Sequence, residues 1–290
     1  MKHLLILSGK GGTGKTTVAS SFIRLSNAKA YADCDVDAPN LHLGLEKHNN
    51  PHIYDFYGMP KAKIDYKKCQ ECGKCQDNCR FDAITFDNKY HIDYYSCEGC
   101  GVCEYICPYD AIRLLPAISG KNILYKGDKV FSTAELKMGS GNSGKLVSSV
   151  KKILKDNIKE DTNLAIIDGS PGIGCPVIAS ISGVDAVLIV AEPSVSGISD
   201  MKRIINVSKG FGCKVIVCVN KYDINKELTI VIKKQAQAMN CNFAGTIPYD
   251  KAAIEAINSK RNIMDIPSQC SNSIKEVYKN TMDILFKEQK

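Results

Sequence analysis

Two groups of residues in this 290-residue chain have types and spacings that could do chemistry. The first is Ser8-Gly9-Lys10-Gly11-Gly12-Thr13-Gly14-Lys15-Thr16-Thr17, a match to G-x-x-x-x-G-K-[ST]. A short apolar run, residues 4–7, precedes it, and Val18-Ala19-Ser20-Ser21-Phe22-Ile23 follows. In a strand, glycine-rich loop and helix, backbone N–H groups and the helix N-terminus form a cradle for anionic oxygens. Lys15 would reach the outer phosphates, and the Thr16 hydroxyl would ligate Mg2+. The second group is made of cysteines. Of fourteen, eight lie between residues 69 and 107, as Cys69-x2-Cys72-x2-Cys75-x3-Cys79 and Cys97-x2-Cys100-x2-Cys103-x3-Cys107-Pro108. That density points to metal ligation in a reducing compartment rather than to disulfides.

Bulk properties narrow the classes. The length allows one large domain or two smaller ones. No apolar run approaches 18 residues, so a membrane span is not expected. The apolar stretch before the glycine loop is four residues long, too short for a signal peptide, and a cytoplasmic location is expected. The net charge of +7 is spread along the chain without a basic block or aromatic ladder. It reads as solvated surface, and a nucleic-acid partner is not expected.

The elements that must position these groups alternate. A second strand is expected at residues 28–32, ending in Asp33-Cys34-Asp35-Val36-Asp37. A hairpin is expected over 121–133, around Gly127-Asp128. Lys137-Met138-Gly139-Ser140-Gly141-Asn142-Ser143-Gly144-Lys145-Leu146 is formally another G-x-x-x-x-G-K. It is rejected as a phosphate loop because no buried strand is expected before it and Leu146 stands where a hydroxyl is needed; a mobile loop ahead of a helix at 146–156 is expected. Residues 164–168 form a buried strand ending in Asp168, then Gly169-Ser170-Pro171-Gly172. Strands at 186–191, 214–219 and 242–247 and helices at 198–209, 226–239 and 273–287 complete an α/β alternation. The fold expected is a doubly wound, mostly parallel sheet, whose ligands bind at the carboxyl ends of the strands.

With Lys10 directly after the first glycine, the loop resembles that of the deviant-Walker ATPases of the MinD/ParA/Mrp class, to which nitrogenase iron protein is related. The resemblance implies ATP with Mg2+ bound by residues 9–17 (Gly9, Lys10, Gly11, Gly12, Thr13, Gly14, Lys15, Thr16 and Thr17), and a homodimer or a heterodimer with a similar ATPase. Lys10 would reach across the dimer to the partner's nucleotide; comparable in-trans cations contribute about 10³–10⁵ in rate. Asp33 and Asp35 match the D-x-D of switch I, followed by Asn40-Leu41, and Asp35 would orient the attacking water. Asp168 would hold a water of the Mg2+ shell as Walker B, with a Gly/Pro hinge as switch II. Asn220 and the loop at Pro248 would bracket adenine, while Asp223 in Asn220-Lys221-Tyr222-Asp223 leaves guanine as an alternative. Cys175, seven residues after Asp168, matches the offset of a cluster-binding cysteine in nitrogenase iron protein; a small apolar or reactive thiol is the alternative. The last helix is expected to lie on the sheet rather than on a membrane. The histidines at 3, 42, 48, 52 and 91 form no ligand-spaced cluster.

The cysteine segment repeats at 28 residues, down to Phe81-Asp82-Ala83-Ile84 against Tyr109-Asp110-Ala111-Ile112. It resembles a bacterial two-cluster ferredoxin module, inserted at residues 61–115 between the two parts, 1–60 and 116–290, of the ATPase domain. In that module three thiolates on one turn cap three irons of a cubane, and each half's fourth cysteine ligates the other cluster. The resemblance therefore implies one 4Fe–4S cluster on Cys69, Cys72, Cys75 and Cys107 and a second on Cys79, Cys97, Cys100 and Cys103. Zinc is the alternative, although zinc sites usually lack the doubled fourth cysteine. Arg80 stands where the second run has Pro108. The function expected is an ATPase coupling dimer closure to electron transfer with a redox or iron–sulfur partner protein. A cluster carrier and a positioning ATPase are the alternatives.

Overall fold

The computed structural model describes residues 1–45 and 50–287. His48 lies outside the described residues. The elements run β1 (Lys2–Leu7), α1 (Lys15–Ser26), β2 (Ala30–Asp33), β3 (His52–Tyr57), β4 (Lys61–Ile64), α2 (Lys74–Asp77), β5 (Ile84–Asp87), β6 (Lys89–Ile92), α3 (Val102–Tyr105), β7 (Ile112–Leu115), β8 (Ile118–Tyr125) and β9 (Val130–Leu136). Then follow α4 (Ser143–Asn157), β10 (Leu164–Asp168), α5 (Cys175–Ile181), β11 (Ala186–Ala191), α6 (Val195–Gly210), β12 (Lys214–Asn220), α7 (Lys226–Ala238), β13 (Asn242–Ile247), α8 (Lys251–Asn258) and α9 (Gln269–Phe286).

Nine strands form one sheet in the order β13-β12-β11-β1-β10-β2-β9-β8-β3. Only β8 runs against the rest, pairing antiparallel with β9 and β3. The central strands, β1, β2, β10, β11 and β12, are short runs buried on both faces, as a parallel sheet between helical layers requires. Alternation divides each run: Leu5 and Leu7 face a core capped by α4, α5, α6 and α7, while Leu4 and Ile6 face one capped by α1, α8 and α9. The last helix thus lies on the sheet, with Ile274, Val277 and Leu285 buried. Among the described residues no helix is long and apolar enough to cross a membrane.

Three expectations change. The hairpin is longer than 121–133 and joins the main sheet, with β9 parallel to β2. Strand β3 has no counterpart in the sequence reading, because only Phe56 of its six side chains is buried and an edge strand shows no apolar face. A buried strand, β9, does precede the second glycine–lysine loop, contrary to the reason given for rejecting it. Its rejection rests instead on two side chains. Leu146 is buried in the core, and Lys145 Nζ turns away, 3.5 Å from the Tyr57 carbonyl and 6.0 Å over the Phe56 ring.

Between β3 and β8 the chain makes a smaller unit from Lys61 to Leu115. Its repeat is structural as well as sequential. Strands β4 and β6, helices α2 and α3, and strands β5 and β7 are pairwise 28 residues apart. β4 pairs with β7 and β5 with β6, each pair a two-stranded antiparallel sheet. Only Ile64, Ala83, Ile84, Cys97, Ala111 and Ile112 supply buried apolar side chains there. The unit sits tightly on its connector: a Cβ at Gly99 would stand 2.1 Å from the Pro60 carbonyl oxygen.

Lys151 of α4 secures the helix that follows the Asp168 loop. Its ammonium donates to the carbonyls of Ala179 (3.1 Å), Ser180 (2.6 Å) and Ser182, the last carbonyls of α5. Charge-assisted bonds at a helix C-terminus stabilise it. Lys151→Met should lower stability by about 1–3 kcal/mol in urea denaturation; an unchanged midpoint would refute this role.

Candidate functional site

The glycine loop emerges from β1 at the carboxyl edge of the sheet, between β10 and β11. Gly14, at φ 90°, caps α1 in a left-handed conformation that a side chain would strain. A Cβ there would also lie 2.3 Å from Asn220 Nδ2. Lys15 is buried and its Nζ stands 2.6 Å from Asp168 Oδ1 and 3.3 Å from Thr16 Oγ1. Burial alone would lower the Lys15 pKa, but Asp168, Asp33 and Asp35 outweigh it and hold the ammonium charged. Asp168 Oδ2 and Thr13 Oγ1 are buried without a hydrogen-bond partner among the described residues. An unmade bond of this kind costs about 1–3 kcal/mol. A carboxylate oxygen and a hydroxyl left bare beside the cradle fit a hydrated Mg2+ and an anionic ligand. Thr16 and Asp168 would hold the ion, which would offset phosphate charge there.

The parallel register places Asp33 directly beside Asp168. Asp33 is buried, and its carboxylate accepts the N–H groups of Asp35 (3.0 Å), Asn40 (3.0 Å) and Leu41 (2.9 Å). It is therefore the residue that shapes the loop. Asp35 is more open, its pKa raised first by burial, with Asp168 and Asp37 adding to the effect against Lys15. Backbone bonds tie the segments together: Gly172 N–H reaches the Ser8 carbonyl (3.0 Å), and Ser170 Oγ donates to the Cys34 carbonyl (2.6 Å). Lys10 is half-exposed, 3.7 Å from Glu192.

On the other side of the loop, Asn220 Nδ2 donates to the Thr13 carbonyl (2.7 Å) and Lys221 Nζ to the Gly12 carbonyl (3.0 Å). A pocket opens there, lined by Gly12, Asn220, Lys221, Pro248, Tyr249 and Ile254. Asp223 is engaged elsewhere, accepting the Tyr249 N–H at 2.7 Å. Sequence reasoning missed Lys221 as a clamp, although it sits inside the N-K-x-D match. It also missed α8, whose eight residues carry only one buried side chain, Ala256.

The smaller unit holds two pockets. One is lined by Cys79, Cys97, Cys100 and Cys103 together with Ala62 and Leu114. The other is lined by Cys69, Cys72, Cys75 and Cys107 together with Ile64 and Tyr90. Among the described residues no three His, Cys, Asp or Glu side chains converge to hold a single metal ion. Each pocket has four cysteines among its lining residues, the number and type of donors that one four-iron cluster takes. Cys175 is exposed at the first turn of α5, against Gly144. The other cysteines, Cys34, Cys213, Cys218, Cys241 and Cys270, are buried, and burial pushes the thiols of Cys34 and Cys218 up to about 12.

A mostly parallel α/β sheet with this loop defines a P-loop nucleoside triphosphatase. The model of the CobQ/CobB/MinD/ParA nucleotide-binding domain matches residues 4–263, and the chain belongs to that family. It is similar to an uncharacterized protein of Methanocaldococcus jannaschii, 33% identical over 97% of both chains. It is also similar to an iron-sulfur cluster carrier protein of that organism, 22% identical over 98% of this chain and 85% of the other. Among solved structures, the septum site-determining protein MinD of Pyrococcus horikoshii, complexed with Mg-ADP, shares the fold. The TM-score is 0.57 at 17% identity, covering 97% of this chain and 95% of that one. The chain is a MinD/ParA-like, ATP-binding P-loop ATPase.

Two outcomes test the site. Gly14→Ala should weaken ATP binding by more than roughly tenfold while leaving the circular dichroism spectrum intact, since more than about 1.4 kcal/mol of strain falls on the loop; titration with a fluorescent ATP analogue reads it. The Asp33 pKa is raised to about 7, chiefly by burial and then by the Asp168 carboxylate. The folded chain thus binds this proton more tightly than the unfolded one. Its stabilising effect is complete below about pH 4 and is lost as pH rises through about 7. The stability of the nucleotide-free protein should therefore fall between about pH 4 and 7 and level off above that, with a flatter slope in Asp33→Asn. Parallel profiles in the two proteins would refute the assignment.

Proposed function

We propose that the chain is an ATP-driven iron–sulfur protein in which nucleotide-dependent dimer closure controls electron transfer through two 4Fe–4S clusters. The observation that carries this reading is the pair of four-cysteine pockets on a unit joined at both ends to the ATPase sheet. Cys69, Cys72, Cys75 and Cys107 would hold one cluster and Cys79, Cys97, Cys100 and Cys103 the other. Each cluster, when bound, would supply a one-electron store. Residues 1–60 and 116–290 would form the motor, and residues 61–115 the redox unit.

The nucleotide chemistry follows from the charges already paired. On ATP binding Lys15 would leave Asp168 for the phosphates, and Lys10 would leave Glu192 for the nucleotide of a second subunit. Asp35 would orient the water that attacks the γ-phosphorus, breaking the bond to ADP and releasing phosphate. Asn220 and the Pro248 loop would hold adenine, and the engagement of Asp223 by the Tyr249 N–H favours adenine over guanine.

Backbone hydrogen bonds supply a route from this site to the redox unit. The Val36 carbonyl, next to Asp35, accepts the N–H of Leu136 (2.9 Å). The Ser119 carbonyl accepts Lys137 N–H (2.9 Å), and Gly58 N–H donates to the Ala117 carbonyl (3.2 Å). A shift of the Asp35 loop would therefore bear on both connectors of the smaller unit. Electrons would come from a reduced donor protein and leave to an acceptor protein.

A second reading, a cluster carrier, is favoured by the exposed Cys175 and by the likeness to the carrier protein of Methanocaldococcus jannaschii. Anaerobic iron analysis separates the two. The redox reading expects about eight irons per chain with and without ATP, from two four-iron clusters; iron in excess of that, lost to an apo-acceptor, would favour the carrier. Lys15→Ala should keep its iron but lose ATP turnover and acceptor reduction together, and undiminished electron delivery would sink the coupling. A colourless, zinc-containing protein would sink the cluster reading itself.

A further inference from the structure

The 28-residue repeat places a lysine and a tyrosine alike in each half of the smaller unit. Lys61 opens β4 and Lys89 opens β6. Each reaches the tyrosine ahead of the other half's cysteine run: Lys61 Nζ lies 5.2 Å from the ring centre of Tyr94, and Lys89 Nζ lies 4.6 Å from that of Tyr66. The halves then differ. Lys61 Nζ also donates a 2.5 Å hydrogen bond to the Cys97 carbonyl, whereas Lys89 makes no such bond to Cys69 among the described residues. Cys97 is buried, and Cys69 is half-buried. Lys61 follows Pro60, whose carbonyl lies under Gly99 between Cys97 and Cys100. Lys61 is thus a fixed cation on the backbone of a cysteine that lines one pocket only.

We propose that Lys61 is a positioning residue that raises the reduction potential of the cluster held by Cys79, Cys97, Cys100 and Cys103 and leaves the other cluster unaffected. The inference rests on the two-cluster reading above. Adding an electron makes a cluster more negative, so a nearby fixed cation favours the reduced form, more so where burial limits screening. Asp93, whose carboxylate accepts the Ser96 N–H at 2.7 Å, stands close enough to offset part of this charge. Lys89, exposed and without the carbonyl bond, exerts a weaker effect on the Cys69 side.

Anaerobic redox titration of the full chain, followed by electron paramagnetic resonance, tests this in Lys61→Met, Lys61→Gln, Lys61→Arg and Lys89→Met. Lys61→Met should lower one of two midpoints, shifting the oxidised-to-reduced ratio at fixed potential by roughly threefold or more, the scale of a unit charge several ångströms away. Lys61→Gln keeps an N–H for the Cys97 carbonyl without the charge and should lower the same midpoint; it carries the test if Lys61→Met loads iron poorly. Lys61→Arg should restore the midpoint, and Lys89→Met should move only the other one, and less. Eight irons in Lys61→Gln with both midpoints unchanged, or both moved together, overturns the role of Lys61 and leaves the two-cluster reading standing. Absence of iron and sulfide from the unsubstituted protein overturns both.

Discussion

The buried contact between Lys15 and Asp168 is the constraint around which the nucleotide edge is built. Both side chains are removed from water, and a third charge, Asp33, is set beside them by strand register. Taking such groups out of water is costly, and their mutual attraction only partly offsets it. What makes the arrangement tenable is the close bond between the ammonium and one carboxylate, together with three backbone N–H groups on the other. The same arrangement leaves one oxygen of Asp168 unbonded. A carboxylate oxygen left bare in this way fits a hydrated divalent cation, as a site for a nucleotide with its metal requires.

The sheet carries that constraint outward. Its central strands are buried on both faces and act as a rigid platform, while β3 forms an exposed edge and, with β8, brackets the smaller unit in the chain. The unit has few apolar side chains with which to form a core. Small domains of this kind usually depend on cross-links or metals for their stability, and the proposed clusters would serve folding here as well as chemistry. Its internal duplication gives two four-cysteine pockets, and Gly99, in the lining of one, lies against Pro60 of the connector to the sheet. Equivalent positions in the two halves consequently meet unequal surroundings, as Lys61 and Lys89 do.

Several errors in reading the chain share a cause. β3 escaped notice because an edge strand buries one side chain and so lacks an apolar face. The hairpin reading over 121–133 gives β9 no partner beyond β8, because its pairing with β2 and its packing on α4 join segments distant in sequence. The second glycine–lysine loop was rejected for want of a strand that is in fact present, and only the directions of Lys145 and Leu146 decide the matter. Asp33 and Asp35 looked alike as a D-x-D. They part because strand pairing buries Asp33 beside Asp168, whereas Asp35 lies beyond the strand's end.

By itself the sequence determined the phosphate loop, the alternation of strands and helices and the 28-residue repeat of cysteines. All are local: a loop of fixed spacing, apolar periodicity and short intervals between thiols are set by neighbours along the chain. The tertiary structure alone decided which carboxylate shapes the loop and which bears on solvent, and how Lys221 and Asn220 clamp Gly12 and Thr13. These depend on strand order and on contacts between residues far apart in the chain, 207 and 209 positions for the two clamps, and no local propensity encodes such distances.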